Sequence, residues 1–305
     1  MKLKRFAPFT WGVLGWSLIV ILWGAYVRAT GSGAGCGQHW PLCNGQVVPR
    51  APDVKMTIEF THRLLSGGAI LLIGAMIAWG FRITDKKHPV RKGLIASGIF
   101  IVIEALLGAG LVLFQLVEEN SSMARAIAVA LHLANTFILV GSLALTAYWA
   151  SGGRAIQIKG QGLKTWLLIG GLAGMLLIGM SGAVTALGDT LFPSSSLAEG
   201  IIAEMDANAH FLVRLRVYHP IIAVIIAMYS LYLVRYLFKN NNGLARKFLS
   251  VLVIVGITQL VIGLINLLLL VPIPTQLLHL LTADLVWIIY VLSTAAVLAK
   301  PQPTS

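Results

Sequence analysis

Eight long, nearly uncharged apolar runs recur along this chain, at about residues 10–27, 58–80, 93–116, 125–150, 164–188, 214–237, 247–271 and 276–298. With a helical rise of about 1.5 Å per residue, each is long enough to cross a hydrocarbon layer about 30 Å thick. Backbone groups in lipid find no water, so runs of this length satisfy their own hydrogen bonds as helices. The chain is 57% hydrophobic and 11% charged, with a mean hydropathy of +0.85, which excludes an ordinary soluble domain. The fold class expected is an all-α polytopic membrane protein with eight transmembrane helices.

The net charge of +12 raises the question of nucleic acid, but the basic residues do not form one patch. They alternate between loops. One set comprises Lys2, Lys4, Arg5, Arg82, Lys86, Lys87, Arg91, Lys92, Arg154, Lys159, Lys164, Arg235, Lys239, Arg246, Lys247 and Lys300, with Asp85 as its only acid. The opposite set has fewer basic residues than acids. The positive-inside rule therefore predicts a multi-pass protein of the cell (cytoplasmic) membrane with both termini in the cytoplasm, the bilayer as its partner and no nucleic acid. Lys2-Leu3-Lys4-Arg5 begins like a signal peptide, but the apolar run to Val27 is too long for one and has no clean cleavage site, so it reads as a first helix.

Two halves repeat in the same order. Gly24-Ala25 is echoed by Gly182-Ala183, and Glu59-Phe60-Thr61-His62 by Arg216-Val217-Tyr218-His219. Glu104-Ala105-Leu106-Leu107-Gly108 is echoed by Gln259-Leu260-Val261-Ile262-Gly263, and Leu131-His132-Leu133 by Leu278-His279-Leu280. Four echoes in register predict a parallel repeat of two pseudo-symmetric four-helix bundles. Residues 1–150 form the first half, 151–162 a cytoplasmic linker and 163–305 the second half.

Within this repeat, His62, His132, His219 and His279 lie near the same end of their spans. Taking Ile58, Arg125, Arg214 and Thr275 as the helix starts, they sit about 6–11 Å below the outer boundary. Imidazole is costly in a lipid-embedded helix, and two rings facing each other across a bundle suit the axial positions of a haem iron. The pairing predicted is His62 with His132 and His219 with His279, one haem-sized site in each half. His39, His88 and His210 fall in loops and carry no such expectation. Attachment through thioethers is excluded, because no Cys-x-x-Cys-His occurs.

Other residues cluster around these sites. Arg28, Arg63, Arg214 and Arg216 stand at span ends, where a guanidinium could anchor a haem propionate or simply reach the interface. Cys36 and Cys43 share the first outer loop, where a structural disulfide is favoured over a thiol pair for redox exchange or metal transfer. Glu59 lies one turn before His62 on the same helix face, placed to accept a proton or steady a carbocation, unless it only pairs with Arg63. The second half has Arg216 at that place, so the first half reads as catalytic and the second as an electron-transfer centre.

The run Gly24-Ala25-Tyr26-Val27-Arg28-Ala29-Thr30-Gly31-Ser32-Gly33, then Cys36 to Cys43 around Trp40-Pro41-Leu42, then Glu59-Phe60-Thr61-His62-Arg63, closely resembles the haem A synthase family. The resemblance weakens but stays in register through His219 and His279. It implies an eight-helix bundle of two pseudo-symmetric halves and an oxidoreductase that converts the C8 methyl of haem O to a formyl group. It also implies that His62 and His132 hold the substrate haem, that Glu59 is essential, that His219 and His279 ligate a haem b cofactor, and that the cysteine pair matters for activity. The formyl oxygen would come from water, and electrons would leave through the second haem to an electron acceptor the residues do not name. Haem O synthase and cytochrome oxidase assembly proteins are the partners implied.

The chain departs from the family pattern in places. Many bacterial members carry a second cysteine pair in the loop matching 189–213, which has none here, and the usual His-Arg of the second half is His219-Pro220. Pro220 removes a backbone donor and is expected to kink span 6. Leu197–Met205 reads as a short amphipathic surface helix. Two intramembrane acids, Glu104 and Asp284, take no role from the resemblance; structural hydrogen bonds to neighbouring helices are expected for both. Alternatives to the enzyme are a dihaem membrane electron-transfer protein, which would not need Glu59, and a non-catalytic haem-binding oxidase assembly factor.

Overall fold

The computed structural model describes residues 2–299, so Lys300 and the last residues of the second half lie outside the described residues. The fold is all helical. Its elements are α1 (Lys2–Ala29), α2 (Val54–Ile83), α3 (Val90–Leu113), α4 (Met123–Ala150), α5 (Leu163–Leu191), α6 (Leu197–Met205), α7 (Phe211–Arg214), α8 (Tyr218–Phe238), α9 (Gly243–Leu268) and α10 (Ile273–Val297). No strand occurs among the described residues; two isolated bridges, Cys43 with Gln46 and Ile156 with Ala299, pin loops. Eight segments are long and apolar enough to span a membrane, α7 and α8 counting as one.

Two of the long helices, α2 and α4, start at polar caps beyond the apolar runs. Asp53 accepts from Met56 N at 2.7 Å and begins α2, and Ser122 accepts from Arg125 N at 3.3 Å and begins α4. Such caps satisfy amide donors that the first helical turn leaves free. These helices thus begin earlier than the hydropathy suggested, as does α10 at Ile273, which corrects the depth expected for their histidines. His62 lies eight residues past Val54, His132 nine past Met123, and His279 six past Ile273. His219 is the second residue of α8, or eight past Phe211 if α7 is counted.

Pro220 does not kink a continuous helix. The chain turns at 215–217 and α8 starts at Tyr218, so Pro220 falls in the first turn. Its missing N–H would have had no intrahelical acceptor there, and the position costs the helix nothing. The short helix expected at Leu197–Met205 is present as α6, capped by Ser196, with Ile201, Ile202 and Met205 exposed.

In the first half α1 touches α2 and α4, and α3 touches α2 and α4, which closes a ring of four. In the second half α5 touches α8 and α10, and α9 touches α8 and α10, which closes another. The rings meet where α4 packs on α5 and α10, and α1 on α10. Accordingly α4 and α10 are the most buried helices, and α3 and α9 among the least. At the centre of the seam the rings of Phe137 and Trp287 stack 5.4 Å apart, and Trp287 Nε1 donates to Phe137 O at 2.5 Å. Replacing Trp287 with Phe keeps the apolar contact but leaves that buried carbonyl without its donor. A loss of about 1–3 kcal/mol is expected, read as a lower thermal midpoint in detergent; an unchanged midpoint would show that the bond adds nothing to the seam.

Candidate functional site

Each of the four paired histidines lies over a glycine of a neighbouring helix. A methyl carbon built on Gly24 of α1 would stand 2.9 Å from His62 Cε1, and one on Gly182 of α5 would stand 2.9 Å from His219 Cε1. On Gly263 of α9 it would stand 2.8 Å from His279 Cε1, whereas on Gly108 of α3 it would meet His132 at an ordinary 3.9 Å. Small residues let helix backbones approach closely in a membrane bundle. Here the space gained is taken by an imidazole. These glycines recur in the sequence repeat, but their role is invisible until the helices are paired.

The second pair has a measured geometry. The His219 and His279 ring centroids are 6.4 Å apart and nearly perpendicular, at 85°. A metal–imidazole bond of about 2 Å on each side of one ion sets coaxial rings about 6 Å apart. The centroid spacing is therefore compatible with one ion between the two rings. His219 Nδ1 is held by Ser181 Oγ at 3.0 Å, and His279 Nε2 lies 3.4 Å from Gln259 Nε2. In the first half His62 and His132 are within electrostatic reach of each other, and His62 Nδ1 is buried without a hydrogen-bond partner among the described residues.

Glu59 is 3% exposed and both its oxygens are engaged. Oε2 accepts from Cys36 N at 2.8 Å, and Oε1 accepts from Arg63 through Nε at 3.1 Å and through Nη2. Arg63 Nη1 in turn donates to His39 O at 2.5 Å and Leu42 O at 2.6 Å. Cys36 and Cys43 form a disulfide. The ion pair with Arg63 is thus present, and it is part of a larger arrangement in which α2 suspends the disulfide loop from its own side chains.

The four arginines differ in their surroundings. Arg28 crosses from α1 to the other half, donating to Ala186 O at 2.7 Å, Thr190 Oγ1 at 2.6 Å and Gln276 Oε1 at 2.9 Å. Arg216 is buried, 3.3 Å from Asp189 Oδ1, and donates to Phe192 O at 2.6 Å. Arg63 is occupied by the loop as described. Arg214 is the freest, with one contact of 3.4 Å to Ala207 O. Near Arg216, burial pushes the α6 carboxyl of Glu204 up while the guanidinium pulls it down. The Asp189–Arg216 pair had no sequence signal, because its members lie on separate spans.

The remaining candidates sort themselves by partner. His88 and His210 accept from Val90 N and Leu212 N, each at 3.3 Å, as local caps. Glu104 accepts from Asn135 Nδ2 at 2.5 Å and from Thr136 Oγ1, the interhelical hydrogen bonding expected of it. Asp284 departs from that expectation: it is fully buried on α10 and neither oxygen has a partner among the described residues.

If the glycines are seats for the rings, Gly182→Ala and Gly263→Ala should displace His219 and His279 and abolish or alter any low-spin haem spectrum of the purified protein. Gly108→Ala should leave the spectrum unchanged, because its methyl clears His132. Equal behaviour of all three variants would refute the steric account.

Comparison with known proteins follows the same pattern. Residues 7–291 match the model of a family described as cytochrome oxidase assembly protein. A protein of Exiguobacterium sp. named heme A synthase is 29% identical over 245 residues, covering 80% of this chain and 77% of its own length. One of Shouchella clausii with the same name is 44% identical over 97 residues, 32% of each chain. A Thermus thermophilus protein named protoheme IX farnesyltransferase is 50% identical over 297 residues, covering 96% of this chain but 48% of its own length. The chain thus spans about half the length of that relative. It belongs to the cytochrome oxidase assembly protein family, the family of the haem A synthases.

Proposed function

We propose that this chain is a haem A synthase, an oxidoreductase that converts the C8 methyl of haem O to a formyl group. His62 and His132 would hold the haem O substrate, and His219 and His279 a haem b cofactor. The observation that carries the reading is an asymmetry between two otherwise matched sites. Both have paired imidazoles over glycines, but among the described residues only the first has, one turn from a histidine, a buried carboxylate tied to a disulfide loop. The names borne by the Exiguobacterium and Shouchella relatives support the same assignment.

In this reading the first half, 1–150, binds the substrate and the second, 163–305, the cofactor. Oxidising a methyl to a formyl group takes up water and releases electrons and protons. Glu59, one turn from His62, is placed to accept a proton, and the Cys36 amide and Arg63 hold its carboxylate in one position. Haem b, when bound, supplies one-electron redox chemistry. Arg214 has a guanidinium free enough to meet a propionate, while Arg28, Arg63 and Arg216 would each have to exchange a protein partner for it. The disulfide end would face outward and the basic end the cytoplasm.

The Thermus relative bears on the substrate. Its name describes attachment of a farnesyl group to protoheme IX, and this chain matches half of it. We infer that a protohaem farnesyltransferase supplies the haem this chain oxidises. Farnesyl transfer by the chain itself is disfavoured, since magnesium–diphosphate sites are built from carboxylates and the aspartates here are scattered as Asp53, Asp85, Asp189, Asp206 and Asp284.

The test is chromatography of haems extracted from cells that co-express the chain with a haem O source. Formation of haem A, stopped in Glu59→Gln while the His219/His279 haem is retained, is the expected result. Haem b alone would favour a dihaem electron carrier, and full haem A yield in Glu59→Gln would remove Glu59 from the chemistry. Orientation has its own measurement: an impermeant thiol reagent applied outside should label Cys36 and Cys43 only after reduction. Labelling solely from the cytoplasmic side would invert the topology.

A further inference from the structure

Glu104 on α3 and Gln259 on α9 hold corresponding places in the repeat and the same structural slot. Thr136 Oγ1 donates to Glu104 Oε1, and Thr282 Oγ1 donates to Gln259 Oε1. Each side chain also reaches the histidine of its half. Glu104 Oε1 is 3.4 Å from His132 Nδ1, and Gln259 Nε2 is 3.4 Å from His279 Nε2. A second donor, Asn135 Nδ2, fixes Glu104 Oε2 at 2.5 Å. His132 Nδ1 is buried with no aligned hydrogen-bond partner among the described residues, and Glu104 Oε1 lies within ion-pair distance of it.

The two slots differ in what faces the ring: the threonine-bound oxygen of Glu104 faces His132 Nδ1, whereas the amide nitrogen of Gln259 faces His279 Nε2. A carboxylate behind an imidazole accepts its Nδ1–H, fixes the tautomer that presents Nε2, and raises the basicity of the ligand. In the second half the amide oxygen is taken by Thr282, leaving an NH₂ group toward His279. A more basic axial ligand favours the oxidised iron, so ligand environment alone separates the two sites in potential.

We propose that Glu104 is a positioning residue for His132, making the first histidine pair a stronger electron donor to its iron than the second. This rests on the haem-binding reading above. The slot itself indicates the variants. Glutamine accepts from a threonine in the second half, so Glu104→Gln keeps an acceptor oxygen for Thr136 while removing the charge, and Gln259→Glu installs a carboxylate at the other site.

The experiment uses the full chain in detergent, loaded with haemin, with potentiometric titration followed by absorbance and with electron paramagnetic resonance of the ferric form. In wild type, two midpoint potentials are expected. Glu104→Gln should raise the lower one, shift its resonance signature and weaken haem retention there by about tenfold or more, while Glu104→Asp restores part of the shift. Gln259→Glu should lower the other potential, a gain that does not depend on the folding of the first variant. Unchanged potentials in both variants with full haem loading would overturn the role of Glu104 and leave haem binding intact. Failure of the wild type to bind haemin at all would overturn the underlying reading as well.

Discussion

An imidazole laid against another helix needs a backbone with no side chain beneath it. That steric condition organises the disulfide end of the protein: α1 must pass α2, α5 must pass α8, and α9 must pass α10 closely enough for the rings of His62, His219 and His279 to lie on Gly24, Gly182 and Gly263. Helix spacing and ring orientation are then one property. The loops, the caps and the polar ties around them keep those helix pairs in register.

The polar ties obey the low-dielectric rule that a buried charge needs partners. Arg216 has Asp189 and two carbonyls; Arg63 has Glu59 and the disulfide loop; Arg28 has acceptors on α5 and α10. Arg28 is the one that joins the halves at this end, as Trp287 does in the middle. Asp284 is an exception, fully buried with no hydrogen-bond partner among the described residues.

Most of the architecture was legible because lipid imposes a simple demand on composition. All eight spans, the surface helix α6 and the histidine repeat could be read directly from the chain. What escaped were features that need a partner far along the sequence. Arg28 meets residues on α5 and α10, and Asp189 meets Arg216 across a loop, with no periodicity to announce either. The break at 215–217 was hidden inside a run apolar enough to pass for one helix, and Pro220 was misread because its position relative to the helix start was unknown. Glu104 and Gln259 were visible as an echo; that both lean on a histidine was not.

The unequal burial of the helices has a consequence for how such a chain changes over evolutionary time. On α4 and α10 most side chains meet a neighbour, so a substitution must keep volume and shape. On α3 and α9 most side chains meet lipid, and one leucine serves as well as an isoleucine or a valine. The outer helices are therefore free to drift in identity while staying apolar. In a distant relative, the register of α9 would be recovered from Gln259 and Gly263, not from the hydrophobic residues that make up most of the rest of it.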